Sequence, residues 1–357
     1  MSGMQKEGSL RIGILGCGAI STQYLNASVL YPNLNYVACA DIDSKRAQTT
    51  ASYYRLDLRS PEDLMSDPSL DVLVNLTPPS EHLRVNTAAL ESNKHLFTEK
   101  PLATNRADGS TIVALARQKR LLVACAPDTF LAPVFRQAKK LIIDGAIGRP
   151  IVGLAFMLRL GVEQWHPRPD FLFREGAGPL LDMGPYHLAL LISLLGPVRQ
   201  VTALAKTSFE LRTVVSSSGK NRTIPVEVPT HWSASLECEN GCVVTLVTSF
   251  DMWSSRIPPL EIHGTDGALA LPDPNQYGGQ LRLRSGRNGE WRPVDLPPTS
   301  SPNGRGLGLS DLITAIEHHR PPRASASLAL HVLDVMDSLA TAVIEQKHVT
   351  VNANLTD

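Results

Sequence analysis

The chain has 357 residues, with 34 Lys plus Arg against 34 Asp plus Glu and a hydrophobic content of 43%. Zero formal charge offers no electrostatic case for binding nucleic acid or an anionic membrane surface. The length points to two domains, since single cores stop growing at roughly 250–300 residues, and the composition excludes bulk disorder and collagen-like repeats.

The first third alternates short apolar runs with helical patterns. Strands are predicted at 10–15, 35–40, 71–76, 95–98 and 121–125, with helices from about 19 and over 44–54, 80–91 and 105–119. Short strands alternating with helices imply parallel βαβ units, so residues 8–127 are read as a doubly wound Rossmann domain. A helix over 133–144 follows, and Gly148-Arg149-Pro150 breaks the chain. Strand patterns then recur at 151–159, 198–207, 231–237, 243–250, 261–264 and 281–284, with helices at 182–195, 310–319 and 325–346. Residues 128–357 are therefore read as an α+β domain with an open, mainly antiparallel sheet, whose last helix packs back on the first domain. The polar stretch 216–221 and the Gly-rich stretch 303–308 read as flexible loops.

The longest apolar run, Leu188 to Leu195, is shorter than the ~20 residues of a membrane-spanning helix. The opening M-S-G-M-Q-K-E-G-S-L carries no apolar signal core, which suggests a cytoplasmic protein. Cys17, Cys39 and Cys125 sit alone in apolar contexts, as small core residues do. Cys238 and Cys242 flank Asn240-Gly241, a two-residue hairpin signal that pairs Glu239 with Cys242. That register turns the two sulfurs to opposite faces, so neither a disulfide nor a metal site is expected.

Gly16-Cys17-Gly18-Ala19-Ile20-Ser21 follows a strand and opens a helix. Gly16 permits the tight turn, and Gly18 lets the backbone approach a pyrophosphate seated on the helix N-terminus. Ser21 replaces the third glycine of the fingerprint. Asp41 ends the second strand, where an acid accepts hydrogen bonds from ribose hydroxyls and repels a 2′-phosphate. NAD is thus favoured over NADP, with Lys45 and Arg46 near enough to soften the preference. Ligands of doubly wound sheets bind at the carboxyl ends of strands. The other ends carry Thr77-Pro78-Pro79, with His82 opening the next helix, then Glu99-Lys100-Pro101 and Pro127-Asp128.

These motifs, with Thr77 to His82 and G-A-G-P-L-L-D-M-G-P-Y-H at 176–187, resemble the glucose–fructose oxidoreductase, inositol dehydrogenase and rhizopine catabolism family (Gfo/Idh/MocA) over nearly the whole chain. The resemblance implies NAD(P)-dependent oxidation or reduction of a sugar, glycoside or cyclitol, often by a homodimer or homotetramer built through the C-terminal sheet. It implies that Lys100 contacts the reacting hydroxyl and that Asp182 is the motif's aspartate. The position four beyond Asp182, usually the proton-transfer residue, is Tyr186, with His187 next to it.

The local pattern sets Asp182 near a helix N-cap, with Pro185 in the first turn. Asp182 and Tyr186 share a face at i, i+4, and His187 is rotated by ~100°. Trp165, His166 and Asp170 precede that helix and suit a polyol, which offers C–H faces and hydroxyls. Asp128 is a further candidate for substrate contact, and Arg159 and Glu163 are weaker ones. Two other readings stay open: a silent dinucleotide or sugar sensor, and a redox-neutral NAD-recycling glycosidase or lyase.

Overall fold

The structure is a computed structural model that describes residues 9–166, 168–215, 221–296 and 304–352. Pro167, residues 216–220 of the polar stretch and Asn303 lie outside the described residues. The chain divides into two compact units. Among described residues, the first holds the chain up to Ala132 and residues 304–333, and the second holds 133–296 and 334–352.

The first unit contains β1 (Arg11–Leu15), α1 (Ser21–Asn26), β2 (Asn35–Ala40), α2 (Ser44–Tyr54), β3 (Asp57–Leu58), α3 (Pro61–Ser66) and β4 (Val72–Asn75). It continues through α4 (His82–Glu91), β5 (His95–Thr98), α5 (Arg106–Lys119) and β6 (Val123–Cys125). The six strands form one parallel sheet in the order β3-β2-β1-β4-β5-β6, the doubly wound arrangement. The interior strands are buried along nearly their whole length and apolar in their middles, as a sheet covered on both faces requires. The sequence reading missed β3 and α3: two exposed residues cannot show an alternation. Asp43 caps α2 by accepting from the Lys45 and Arg46 amides, and Asn105 caps α5 through the Asp108 amide.

The second unit contains α6 (Pro133–Ile143), β7 (Pro150–Leu158), α7 (Gly178–Leu195), β8 (Val198–Lys206), β9 (Leu211–Val214), β10 (Arg222–Pro225), β11 (His231–Cys238) and β12 (Val243–Ser249). Then come β13 (Leu260–Gly264), β14 (Gly267–Leu271), β15 (Arg282–Ser285) and β16 (Arg292–Pro293). Helix α8 (Leu307–Glu317) belongs to the first unit, α9 (Ala326–Glu345) contributes to both, and β17 (Val349–Thr350) belongs to the second. The large sheet runs β16-β15-β14-β13-β7-β12-β11-β8-β17 and is antiparallel except where β12 meets β7. Ala155, Met157, Leu246, Leu236 and Val201 form its buried face, and α7 packs against β7, β11 and β12. By length and composition α7 and α9 could each cross a membrane, yet 83% of the apolar window of α7 is packed inside the protein.

Three local expectations are corrected. Helix α7 starts at Gly178 rather than 182, with Pro179 in its first turn and Pro185 in its interior. Asp182 is therefore in the second turn and is not a cap. The β11–β12 hairpin closes one residue wider than the Asn-Gly rule gives: Glu237 pairs with Val243, and the Cys238 amide donates to the Cys242 carbonyl at 2.9 Å. Gly241 takes the left-handed conformation (φ 83°) that this longer turn needs. Both cysteines are buried free thiols, not turned to opposite faces by the predicted register, and burial pushes them up to about 12 and about 11. Finally, residues 304–308 are not a loose loop: the Tyr31 hydroxyl donates to the Gly304 carbonyl at 3.0 Å, and α8 begins at Leu307.

Candidate active site

The Gly-rich loop lies between β1 and α1. Gly16 has φ 101°, and a Cβ there would stand 2.7 Å from the Leu76 carbonyl oxygen, so only glycine fits. A Cβ at Gly18 would meet nothing within 4 Å. That open approach is what a pyrophosphate needs. Ala19 is exposed, and Ile20, the N-cap of α1, supplies no side-chain cap, which leaves the helix N-terminus available to an anion. Ser21 is buried and donates its hydroxyl to the Gly18 carbonyl at 2.7 Å. The serine thus ties the loop where a third glycine would only have left room.

Asp41 follows β2. One carboxylate oxygen accepts from the Cys17 amide at 2.7 Å, the other from the Asp43 amide at 2.8 Å. The acid is therefore part of the Gly-rich loop's scaffold, with lone pairs left over on both oxygens. Arg46 sits 3.4 Å from it, half-exposed. These groups fit a dinucleotide: an open glycine, an uncapped helix start and an acid at the ribose position.

At the end of β4, Asn75 is fully buried and accepts from both the Thr77 amide and hydroxyl, while Pro78 and Pro79 are exposed. His82 is also fully buried, with its ring nitrogens 2.6 Å from the Pro101 carbonyl and 2.9 Å from the Thr77 carbonyl. It clamps the Thr77 and Glu99–Pro101 loops together, and burial lowers its pKa even though both carbonyls favour a proton. Glu99 accepts from the Tyr24 hydroxyl at 2.7 Å and, through its other oxygen, from the Lys100 amide at 3.0 Å. Lys100 itself is half-buried. Asp128 is completely buried and accepts from the Gly308 amide at 2.7 Å. Its charge, after the larger effect of burial, helps push the Tyr31 phenol up to about 12.

Sequence reasoning missed Arg305. Its guanidinium lies 3.7 Å from Glu99 and 5.8 Å from the centre of the Tyr24 ring. The only signal was an arginine between two glycines. In space it adds a cation to the Glu99 carboxylate that holds the Lys100 backbone.

In the second unit, Asp182 is half-buried on α7 and Tyr186 stands one turn on, 7% exposed. Tyr186 packs in a cluster with Met157, Leu172, Phe173, Met183 and Phe250. His187 is turned away, 1% exposed, near the carbonyls of Met183 and Phe156 and the charges of Asp273 and Arg159. Neither ring nitrogen reaches full hydrogen-bond geometry with another described group, and burial keeps the imidazole below its ordinary pKa. Trp165 is 72% exposed and meets His166 edge to face at 5.5 Å, and His166 meets Phe171 in the same way. Asp170 faces outward in a bidentate pair with Arg222, which holds its carboxyl down at about 2. Arg159 pairs with Asp273 at 2.5 Å.

Glu163 is drawn into a buried ion cluster instead. Arg212, from the unpredicted β9, bonds Glu163 at 2.8 Å, the Phe250 carbonyl at 3.2 Å and Asp251, with its guanidinium 5.5 Å from the Phe173 ring. This cluster backs the phenylalanines that pack on Tyr186. Among the described residues no group of three or more His, Cys, Asp or Glu could hold a metal.

A doubly wound sheet with this glycine loop and acid defines a dinucleotide-binding oxidoreductase. Residues 10–126 match the oxidoreductase family with the NAD-binding Rossmann fold, and residues 135–270 match the GFO/IDH/MocA C-terminal domain. The chain belongs to the Gfo/Idh/MocA family of oxidoreductases.

A dTDP-3,4-didehydro-2,6-dideoxy-alpha-D-glucose 3-reductase of Saccharopolyspora spinosa is 28% identical over 255 residues, 69% of this chain and 73% of that one. An inositol 2-dehydrogenase of Acidothermus cellulolyticus is 32% identical over 154 residues, 42% of this chain and 45% of the relative. The solved levoglucosan dehydrogenase in complex with NADH and levoglucosan superposes with a TM-score of 0.83 at 21% identity, over 97% of this chain and all of that one.

Proposed function

We propose that this enzyme moves a hydride between NAD and a carbinol or keto carbon of a sugar, glycoside or cyclitol. The carrying observation is the loop at the end of β5, where Glu99 fixes the backbone of Lys100 at the same carboxyl edge of the parallel sheet as the glycine loop and Asp41. The sugar and cyclitol activities printed for the relatives support the substrate class. A bound nicotinamide supplies the hydride acceptor, or the donor in reverse. Lys100 and Tyr186 receive the hydroxyl proton and pass it to water, and Asp182 orients the substrate by accepting from a hydroxyl. His187, buried on another face of α7, plays the smaller part. The charge of Asp41 favours NAD, with Arg46 reducing the discrimination against NADP. Trp165 and His166 offer an exposed aromatic surface to the C–H faces of the ligand.

The assembly proposed is a homodimer or homotetramer through the outer face of the large sheet. That face carries Phe156, Val247, Ser233 and Leu204 at matching registers, half-buried or exposed.

The test follows absorbance of NADH with purified protein, NAD⁺ or NADP⁺, and a panel of cyclitols, free sugars and glycosides. Growth with one polyol and NAD⁺ is expected, and Lys100→Ala should lower kcat by about 10²-fold or more while leaving NADH binding intact. Full turnover in that variant would remove Lys100 from the chemistry. A flat panel in both directions, with NADH still bound, would overturn the dehydrogenase reading.

A further inference from the structure

The turn between β11 and β12 brings two thiols together. The Cys238 amide donates to the Cys242 carbonyl at 2.9 Å, and the Gly241 amide to the Cys238 carbonyl at 2.9 Å. One step back along the ladder, Glu237 pairs with Val243. Cys238 and Cys242 therefore stand opposite each other across Glu239, Asn240 and Gly241. With Gly241 left-handed, this is the glycine bulge that closes hairpins with a three-residue loop.

The two side chains share a face. Along β11, Ala234 and Leu236 are buried and Ser235 and Glu237 are not, so Cys238 continues the buried row. Along β12, Val244 and Leu246 are buried, with Cys242 ahead of them at the same spacing of two. Ala234 pairs with Leu246 and Leu236 with Val244, so the two rows lie side by side. Cys238 is 1% exposed and Cys242 not at all, yet the three turn residues beyond them are exposed. Both thiols are free. Their nearness is also felt electrostatically: after the larger effect of burial, Cys242 pushes Cys238 further up, to about 12.

Opposed residues of an antiparallel pair have Cα atoms about 4.5–5.5 Å apart, inside the roughly 4.4–6.8 Å span of a disulfide. Their Cβ atoms, about 4.5–5.5 Å apart, need to approach by about 1 Å to bond. The hairpin end has room to do so. The register of β11 against β8 already shifts between Glu237 and Cys238, and the turn itself is exposed.

We propose that Cys238 and Cys242 are a modification site, at which a low-molecular-weight disulfide oxidises the two thiols to a cross-strand disulfide that staples the end of the β11–β12 hairpin. One thiolate attacks the oxidant's S–S bond and releases one small thiol. The second thiolate then displaces the other small thiol. Two S–H bonds are lost, one S–S bond forms, and the two electrons and two protons pass to the oxidant. The site is independent of the oxidoreductase chemistry, since it uses none of the residues placed there.

The experiment incubates the reduced full chain with excess oxidised glutathione, quenches with acid, alkylates the remaining thiols and maps tryptic peptides by mass spectrometry. Residues 223–256 form one peptide that holds both cysteines, while Cys17 and Cys39 fall in 12–45 and Cys125 in 121–136. The 223–256 peptide should escape alkylation and weigh two hydrogens less than its reduced form. That form should exceed any glutathione adduct by about tenfold or more, because the second thiol is held opposite the first. Closure should run about tenfold faster at pH 8 than at pH 7, since the scarce thiolate is the reacting species. Cys238→Ser and Cys242→Ser should each abolish the two-hydrogen loss, and the wild-type map decides the question even if a variant fails to fold. Two alkylated thiols in the wild-type peptide would overturn the proposal. So would glutathione retained on either cysteine as the main product, or a bond from either to a cysteine of another peptide.

Discussion

Gly308 shows how one atom can set the position of a helix. Its amide donates to the buried carboxylate of Asp128, and a Cβ on it would stand 2.6 Å from the Asp128 Cβ. Neither group can retreat easily, since Asp128 has no exposed surface and Leu309, Leu312 and Ile313 of α8 are locked in the core of the first unit. Gly308→Ala should therefore cost about 1–3 kcal/mol, the usual range for overpacking a filled interior. Urea unfolding monitored by far-ultraviolet circular dichroism would measure it, and a loss within error of zero would mean that α8 shifts freely. Asp128 was legible as a strand-end acid, but its partner lies 180 residues further along the chain. Nothing in a sequence window could join the two. A still longer separation hid Arg305 behind Glu99, and Gly308 and Arg305 alter how Asp128, Glu99 and Lys100 are understood.

Among the elements, β9 and the turn at Val162–Gln164 are joined by charge rather than by a ladder. Arg212 is 8% exposed and pairs with one oxygen of the buried Glu163 and with the half-buried Asp251, while Thr230 and Ser208 also donate to Asp251. Removing the cation would leave two acids uncompensated in an apolar setting. Arg212→Leu should cost about 3–5 kcal/mol and loosen Phe173 and Phe250 around Tyr186. Chemical denaturation measures the first effect. For the second, the intrinsic fluorescence of Tyr186 is compared with a Tyr186→Phe control. A variant as stable as wild type would show that water already solvates these carboxylates.

The strand that carries Arg212 is invisible to pattern reading because β9 inverts the usual alternation, with Leu211 exposed and Arg212 buried. By contrast, β2, α2 and β5 are legible to the residue, because apolar periodicity and caps agree there. Helix α7 was misjudged at its start. Gly178 and Pro179 do not stop the helix, since proline fits a first turn and Gly178 enters it with φ 86°. The spacing of Asp182, Tyr186 and His187 survives that error, since a helix begun earlier keeps the same angular order.

Across the whole molecule, three histidines share one constraint. His82, His95 and His187 sit in different elements, and for each burial is the largest influence and lowers the pKa below the ordinary 6.5. When the chain unfolds, these rings return to about 6.5 and take up protons that the folded state refuses. Stability is therefore complete above that value and falls as the pH drops below it toward the folded-state pKa values. The exposed Asp170–Arg222 pair acts elsewhere: its carboxyl is held at about 2, so its small contribution is full above the ordinary carboxylate value and is lost as the pH falls from there toward 2. Tm should be level from about pH 8 to 7 and decline from about pH 6.5 downward, well before the carboxylates titrate. His187→Gln, which removes one of the three protonation sites, should make the decline shallower even if it lowers Tm at neutral pH. Scanning calorimetry in buffers of matched ionic strength distinguishes the two effects, because one changes the slope and the other the plateau. A variant whose curve runs parallel to that of wild type at every pH would show that His187 takes up no proton on unfolding, and the acid sensitivity would then belong to His82 and His95.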